Sequence, residues 1–209
     1  MNEKIIEFYM LTNKLKNKIR TGWMEIEITS DRLESVAEHV YGCMMLAIAI
    51  DSEYKLDLDM YKVLKMIALH ELEETIIKDY TVRDGITREE KLRLGTAAVI
   101  KATEGLIKKE EIRELLDEFN AHETKESIFS YHVDKIECDF QAKMYDLQGD
   151  FKLEKALEDL SFFGDDADRV RREAKTASDV WIEYDKSKYD DDEIFKTLIR
   201  DIQKIENDN

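Results

Sequence analysis

Apolar residues recur every three to four positions through most of this chain, and sustained strand-type alternation does not occur. Ile5, Ile6, Phe8, Tyr9, Leu11, Leu15 and Ile19 predict a first helix that stops near Thr21 and Gly22. The stretch WMEIEITSD alternates briefly and reads as a connector. A second helix opens at Ser35, with Glu38 placed for a capping box, and its inward stripe is expected to be Val36, Val40, Met44, Ala47 and Ile48. A third starts near Asp59, turns Met60, Val63, Leu64, Ile67 and Ala68 to the core, and is expected to run to about Lys78. Thr87 and Glu90 form a second candidate capping box, for a helix through Leu94, Ala98, Ile100 and Ala102 that ends at Gly105. Lys109 to Asn120 reads as a shorter amphipathic helix. From Thr124 a long helix carries Ile128, Phe129, Val133, Ile136, Phe140 and Met144 inward, and FKLEKALEDL, DADRVRREAKTASDVWIEY and DDEIFKTLIRDIQKIE supply two or three more. The expected fold class is all-α.

Composition narrows the picture. There is no proline anywhere in the 209 residues, which removes the commonest helix breaker. No linker rich in Pro, Gly or Ser divides the chain, and no internal repeat or long heptad run is present. The expectation is one domain over 1–209, with a core over about 5–150 and a C-terminal helical extension over about 151–209. A content of 43% hydrophobic and 38% charged residues is that of a folded, helix-rich globular protein. The net charge of -16 disfavours a broad embrace of nucleic acid, so an anionic substrate needs local cations. The segment MNEKIIEFYMLTNKLKNKIR lacks an uninterrupted apolar core and reads as neither a leader nor a membrane span, which points to the cytoplasm. Cys43 and Cys138 lack paired metal spacing and read as reduced thiols without an assigned role, a single disulfide between them remaining open.

The candidate chemistry centres on ALHELEE, residues 68–74. On a continuing helix His70 and Glu74 share a face and Glu71 lies about 100° around, within reach of the same ion, while Glu73 points elsewhere and is expected to be solvated. The plain alternative is a hydrogen-bonded core histidine beside a wet acidic face. A divalent transition metal takes imidazole nitrogen and carboxylate oxygen, and His39, His70, Glu71 and a later aspartate would supply that set.

Four segments agree in order, interval and helical placement with a known pattern: RTGW at Arg20 to Trp23, RLESVAEH ending at His39, ALHELEE followed by Asp79, and HVDKIECDFQAKMYD around Asp134. Together they resemble the HD-domain phosphohydrolases, and within them the YfbR-like 5'-deoxynucleotidases, over roughly residues 5–150. The resemblance implies an all-helical bundle that binds one divalent ion (manganese, cobalt, iron, nickel or zinc) through His39, His70, Glu71 and Asp134. It implies further that Glu74 orients or deprotonates the attacking water, that Asp79 contacts substrate and serves in proton transfer, and that Arg20 holds the phosphate. Thr81 is implied as a weaker substrate contact. Trp23 is left between stacking on a base or sugar and a place in the core. His122 and His132 match nothing in the pattern, which counts against a two-metal branch. One departure stands out: this chain has His-Glu where the family has His-Asp, so the carboxylate hangs on a stem one methylene longer.

The expected activity is removal of the 5'-phosphate from (deoxy)nucleoside monophosphates. A small nucleotide is the expected partner, with no nucleic acid and no membrane, and a homodimer is admitted because relatives often pair. The alternatives are another HD hydrolase acting on a nucleoside polyphosphate, an alarmone or a cyclic nucleotide, and a catalytically silent HD-fold binding module favoured only by Glu71.

Overall fold

Recurring i, i+3, i+4 apolar spacing and the absence of proline lead to helices at nearly every expected place. The computed structural model describes residues 2–206 and is all-α. Its helices are α1 (Asn2–Thr12), α2 (Thr21–Glu25), α3 (Val36–Tyr54), α4 (Met60–Leu69), α5 (Arg88–Ala102), α6 (Lys109–Ala121), α7 (Lys125–Gln148), α8 (Leu153–Ala156), α9 (Ala167–Glu173), α10 (Ala177–Asp185) and α11 (Glu193–Gln203), joined in places by short 3₁₀ turns. Extended pairing among the described residues is limited to an isolated antiparallel bridge between Ile19 and Ser35. No helix among them is long and apolar enough to cross a membrane.

The chain gathers into two compact units, one holding the residues up to Thr21 with Glu34–Val133, the other Gly22–Leu33 with everything from Asp134 onward. In the first, α3 packs on α4, and the 3₁₀ turn Leu72–Thr75 packs on α5. Leu72, Val99, Ala102 and Leu116 form a core cluster there, with Phe8, Leu11, Leu69 and Ile112 against it. The second unit is built around Trp23, Ile28, Ala142, Tyr145, Phe151, Leu160, Val170 and Val180.

Several expected faces are rotated. The buried stripe of α3 is Val36, His39, Cys43, Ala47 and Ile50, whereas Ile48, expected inward, is 45% exposed. The helix turns the face that contains His39 to the interior, and the most apolar face is displaced as a result. Ala68, Ile100, Ile128 and Met144 are likewise exposed, and Val99 lies inside in place of Ile100. Along α7 the buried positions include Ser127, Ser130 and Asp139, so polar residues occupy space that apolar counting assigned elsewhere. The first expected helix stops early: α1 ends at Thr12, a 3₁₀ turn follows at Asn13–Lys16, and Ile5, Ile6 and Tyr9 are exposed.

The largest difference concerns the third helix. It ends at Leu69 and does not reach Lys78; Glu71 adopts φ −99°, ψ 16°, and Leu72–Thr75 is a 3₁₀ turn. Three side chains take backbone carbonyls here. The His70 ring donates from Nδ1 to Ile67 O at 2.7 Å, the Thr75 hydroxyl to Leu72 O at 2.8 Å, and the Lys18 ammonium to the carbonyls of Glu74 and Ile77. The ladder loses acceptors, and the chain turns.

Caps place α3 as the sequence indicates. The Ser35 hydroxyl accepts from the Glu38 N–H at 3.3 Å, and the Glu38 carboxylate accepts from the Ser35 N–H at 2.9 Å. At Thr87 the hydroxyl accepts from Glu90 N–H at 3.1 Å, but the Glu90 carboxylate grips Arg93 at 2.8 and 2.7 Å. In the second unit the DADRVRREAKTASDVWIEY segment is two helices, because Thr176 and Asp179 form a capping box that restarts the helix.

Replacement of Ser35 by alanine is expected to lower the unfolding free energy by about 1 kcal/mol, read in urea as a lower midpoint at unchanged m-value.

Candidate active site

The ligand-type side chains of the first unit come from three segments. His39 lies one turn into α3 and is fully buried. His70 caps the end of α4, and Glu71 follows it where the chain leaves the helix. Arg20 sits on the strand-like segment held beside Glu34–Val36, where its N–H donates to Glu34 O at 3.0 Å and Val36 N–H donates to Lys18 O at 2.8 Å.

These groups converge. His39 Nε2 lies 3.3 Å from His70 Nε2, and Glu71 Oε1 is 3.8 Å from the first and 3.6 Å from the second. A carbonyl can only accept, so the bond from His70 Nδ1 to Ile67 O puts the ring proton on Nδ1 and leaves Nε2 with a lone pair facing the cluster. The point in the plane of the three ligand atoms and equidistant from them is about 2.1 Å from each, the distance at which imidazole nitrogen and carboxylate oxygen bind a transition ion. The residues therefore fit a divalent metal. The longer stem of Glu71 is accommodated because α4 has already ended: off the helix, the carboxylate swings to the side of both rings.

Arg20 Nη1 donates to the same Glu71 Oε1 at 2.8 Å, so a guanidinium lies beside the ligand cluster. Asp79, buried, accepts on Oδ2 from the Thr21 N–H at 2.7 Å, which ties it to the segment carrying Arg20. Thr81 is used locally: its hydroxyl accepts from Arg83 N–H at 3.3 Å, and its own N–H donates to Asp84 Oδ2 at 2.9 Å, capping a 3₁₀ turn. Trp23 is 1% exposed and packs edge-on against Tyr145 and tilted against Trp181, which is the core arrangement of the two open to it. Asp134 is buried on α7 in the second unit, paired with Lys135 at 2.7 Å.

Glu74 is 4% exposed, and its Oε2 has no hydrogen-bond partner among the described residues; Lys18 Nζ lies 3.9 Å from it. Burial, then the charges of Glu71 and Asp79, push its pKa up to about 10, so in ion-free protein it carries a proton at neutral pH. Glu73, expected in solvent, is half-buried against α5, where a Cβ at Gly95 would collide with its carboxylate. Burial first and Glu71 second raise its pKa to about 7. Periodicity assigned Glu73 to the wet face because it assumed that α4 continued.

Two neighbours of the cluster were not singled out from sequence. Cys43 Sγ lies 3.6 Å from His39 Nε2, and its position one turn after His39 on α3 is the signal that could have found it. Lys18, by contrast, carries no motif; its position is visible only once the Leu72–Thr75 turn is folded.

Comparison with known proteins gives a consistent pattern. The family model described as HD domain matches residues 12–177. The 5'-deoxynucleotidase HDDC2 of Dictyostelium discoideum is 33% identical over 165 residues, 76% of this chain and 85% of that protein. The 5'-deoxynucleotidase hdd1 of Schizosaccharomyces pombe is 30% identical over 166 residues, 77% of this chain and 80% of its own. Among solved structures, a conserved hypothetical protein from Pyrococcus furiosus matches with a TM-score of 0.68 at 22% identity, covering 96% of this chain and 99% of that one. A predicted metal-dependent phosphohydrolase from Magnetospirillum magnetotacticum matches with a TM-score of 0.60 at 18% identity, covering 96% and 90% respectively. At these identities the structural matches speak for the fold.

Because Glu74 keeps in the folded state a proton that the unfolded chain loses above its ordinary pKa of 4.5, stability falls as pH rises from there to about 10. Glu73 acts with the same sign up to about 7. In EDTA-treated protein, Glu74→Gln is expected to raise Tm at pH 8 by a few degrees and to flatten the decline of Tm between pH 7 and 9; an unchanged slope in differential scanning calorimetry would show that Glu74 is ionised when buried.

Proposed function

The chain belongs to the HD-domain family, and on that premise we propose that it is a metal-dependent 5'-nucleotidase that removes the 5'-phosphate from (deoxy)nucleoside monophosphates. The observation that carries this reading is the convergence of His39 Nε2, His70 Nε2 and Glu71 Oε1 around one point, with Arg20 beside it. Curated relatives over three quarters of the chain are named 5'-deoxynucleotidases. Asp134 is assigned as the fourth ligand by the sequence pattern. One divalent ion bound there supplies Lewis acidity, lowering the pKa of water and neutralising charge on a phosphoryl oxygen.

The chain's own residues do the rest. Arg20 presents a planar guanidinium that grips two phosphate oxygens at once and holds the phosphorus for in-line attack. Its bond to Glu71 Oε1 keeps that fork beside the ligand cluster before substrate arrives. With an ion bound, whose charge would draw down the proton affinity that burial raises, Glu74 takes the proton from the attacking water and returns it to the leaving 5'-oxygen. Asp79, with one oxygen held by the Thr21 N–H, turns the other to a sugar hydroxyl or the leaving oxygen. Thr81 is a weaker contact at the rim, available when its 3₁₀ cap opens. The products are a nucleoside and inorganic phosphate.

Manganese, cobalt, iron, nickel and zinc all suit a nitrogen and oxygen ligand set, and availability selects among them. The two buried thiols, which form no disulfide, suit a reducing cytoplasm, and exposed Ile5, Ile6, Tyr9 and Met10 of α1 suit contact with a second copy.

Metal-stripped protein reloaded with manganese or cobalt is expected to release phosphate from a panel of deoxynucleoside 5'-monophosphates. His39→Ala and Glu71→Ala should lose both bound ion, read by elemental analysis, and turnover; Arg20→Ala should keep the ion and lose about a hundredfold in kcat/KM. Retention of ion and turnover by Glu71→Ala would falsify the ligand assignment.

A further inference from the structure

Asp139 lies on the part of α7 that belongs to the second unit, and it is fully buried. Its Oδ2 accepts from the Tyr189 hydroxyl at 3.0 Å, while its Oδ1 has no hydrogen-bond partner among the described residues. Lys135 and Lys143 stand one turn before and one turn after it on the same helix face, yet both ammoniums are engaged elsewhere. Lys135 lies 2.7 Å from Asp134 Oδ2, and Lys143 donates to Gln203 O at 3.4 Å. Asp185, buried at the end of α10, is a second carboxyl close enough to act on Asp139, and the Lys188 ammonium bonds to it. The 3₁₀ turn Lys186–Tyr189 carries both Lys188 and Tyr189 and leads toward α11, whose Phe195 stacks on Tyr189 with ring centroids 5.7 Å apart.

A carboxylate with one hydrogen bond and one orphaned oxygen is costly to bury, and a proton removes that cost. The ionisable groups around Asp139 are Asp185 from α10, Tyr189 and Lys188 from the turn, and Lys135, Cys138 and Lys143 from α7 itself; the buried side chains of α11 are the apolar Phe195, Ile199 and Ile202. Burial first and Asp185 second raise the pKa of Asp139 well above the ordinary carboxyl range, and the opposing pull of Tyr189, Lys188 and Lys135 does not offset them. Burial, then the same two carboxyls, likewise raise the pKa of Tyr189, so its hydroxyl stays a donor.

We propose that Asp139 is a proton-operated latch: it keeps a proton in the closed chain, and rising pH loosens the hold of the Lys186–Tyr189 turn and α11 on α7. The charged form can reach water only when the turn bearing Tyr189 swings out, and α11 follows because Phe195 is stacked on the same ring. The proton's contribution to the closed form is whole below the ordinary pKa of 3.8 and is lost as pH rises through the closed-state value. The latch is independent of the metal reading, since none of its parts is a proposed ligand.

The test is amide hydrogen exchange of the full-length chain, followed by mass spectrometry over residues 186–203 and corrected for the intrinsic rate at each pH. In wild type the opening of this segment is expected to rise at least about tenfold between pH 6 and 8, because one proton is released on opening. Asp139→Asn keeps the shape and the Tyr189 bond without the proton, and its opening is expected to change less than about threefold over the same range. Carbon NMR of wild type labelled at aspartate carboxyls is expected to show one carboxyl still protonated at pH 7, absent from Asp139→Asn. Wild-type opening that does not rise, an equal rise in Asp139→Asn, or an Asp139 carboxyl already ionised at pH 7 overturns the inference. Should Asp139→Asn fail to fold, the wild-type carbon decides: protonated at pH 7 supports the latch, and ionised overturns it.

Discussion

Two buried imidazoles with their Nε2 atoms 3.3 Å apart constrain everything around them. Such nitrogens cannot both bear protons in a low-dielectric interior without strong repulsion, so the pair calls for a shared proton or a cation. Presenting the rings to each other has structural costs on both sides. On α3 it turns the face bearing His39 and Cys43 inward and leaves Ile48 in solvent. On α4 it ends the helix at Leu69, which frees the Ile67 carbonyl to hold the His70 ring and releases Glu71 to join it. The fold accepts a poorer apolar stripe and a broken helix, and obtains three convergent ligand atoms.

Charge is distributed with the same economy. The chain carries a net charge of -16, yet the acids Glu71 and Glu74 have cationic neighbours, Arg20 at Glu71 and Lys18 at Glu74. One phosphate monoester needs only such local compensation, whereas a polyanion would meet the whole acidic surface. Glu74 shows what happens where compensation is weak. Its ammonium neighbour is 3.9 Å from an oxygen that lacks a hydrogen bond, and burial raises its proton affinity strongly. That property makes a carboxyl useful for moving protons and expensive to keep ionised.

Helix existence was legible along most of the chain because it depends on local periodicity and capping; the exception is α2, which forms where the sequence reads as a helix end followed by a connector. Ser35 and Glu38 cap α3 as their spacing indicates, and α6 spans Lys109–Ala121, within one residue of expectation. Errors fell where a side chain outcompeted the backbone or where a polar residue held an interior place. Lys18, from a distant segment, takes two carbonyls after the His-Glu doublet, and no local pattern announces it. Glu73 was assigned to solvent by extending a helix that had stopped, and Trp23 was left undecided because an indole reads alike as stacking surface and as core.

The amino-acid order by itself determined the all-helical class, the cap at Ser35, and a set of candidate groups of the type that binds an ion, since residue type and short-range spacing suffice for these. Whether His39 would face His70, whether the extra methylene of Glu71 could be absorbed, and which carboxylates would be left poorly compensated were decided only by tertiary structure. Those outcomes depend on contacts between residues tens of positions apart, where a backbone turn and a lysine from elsewhere outweigh local preference.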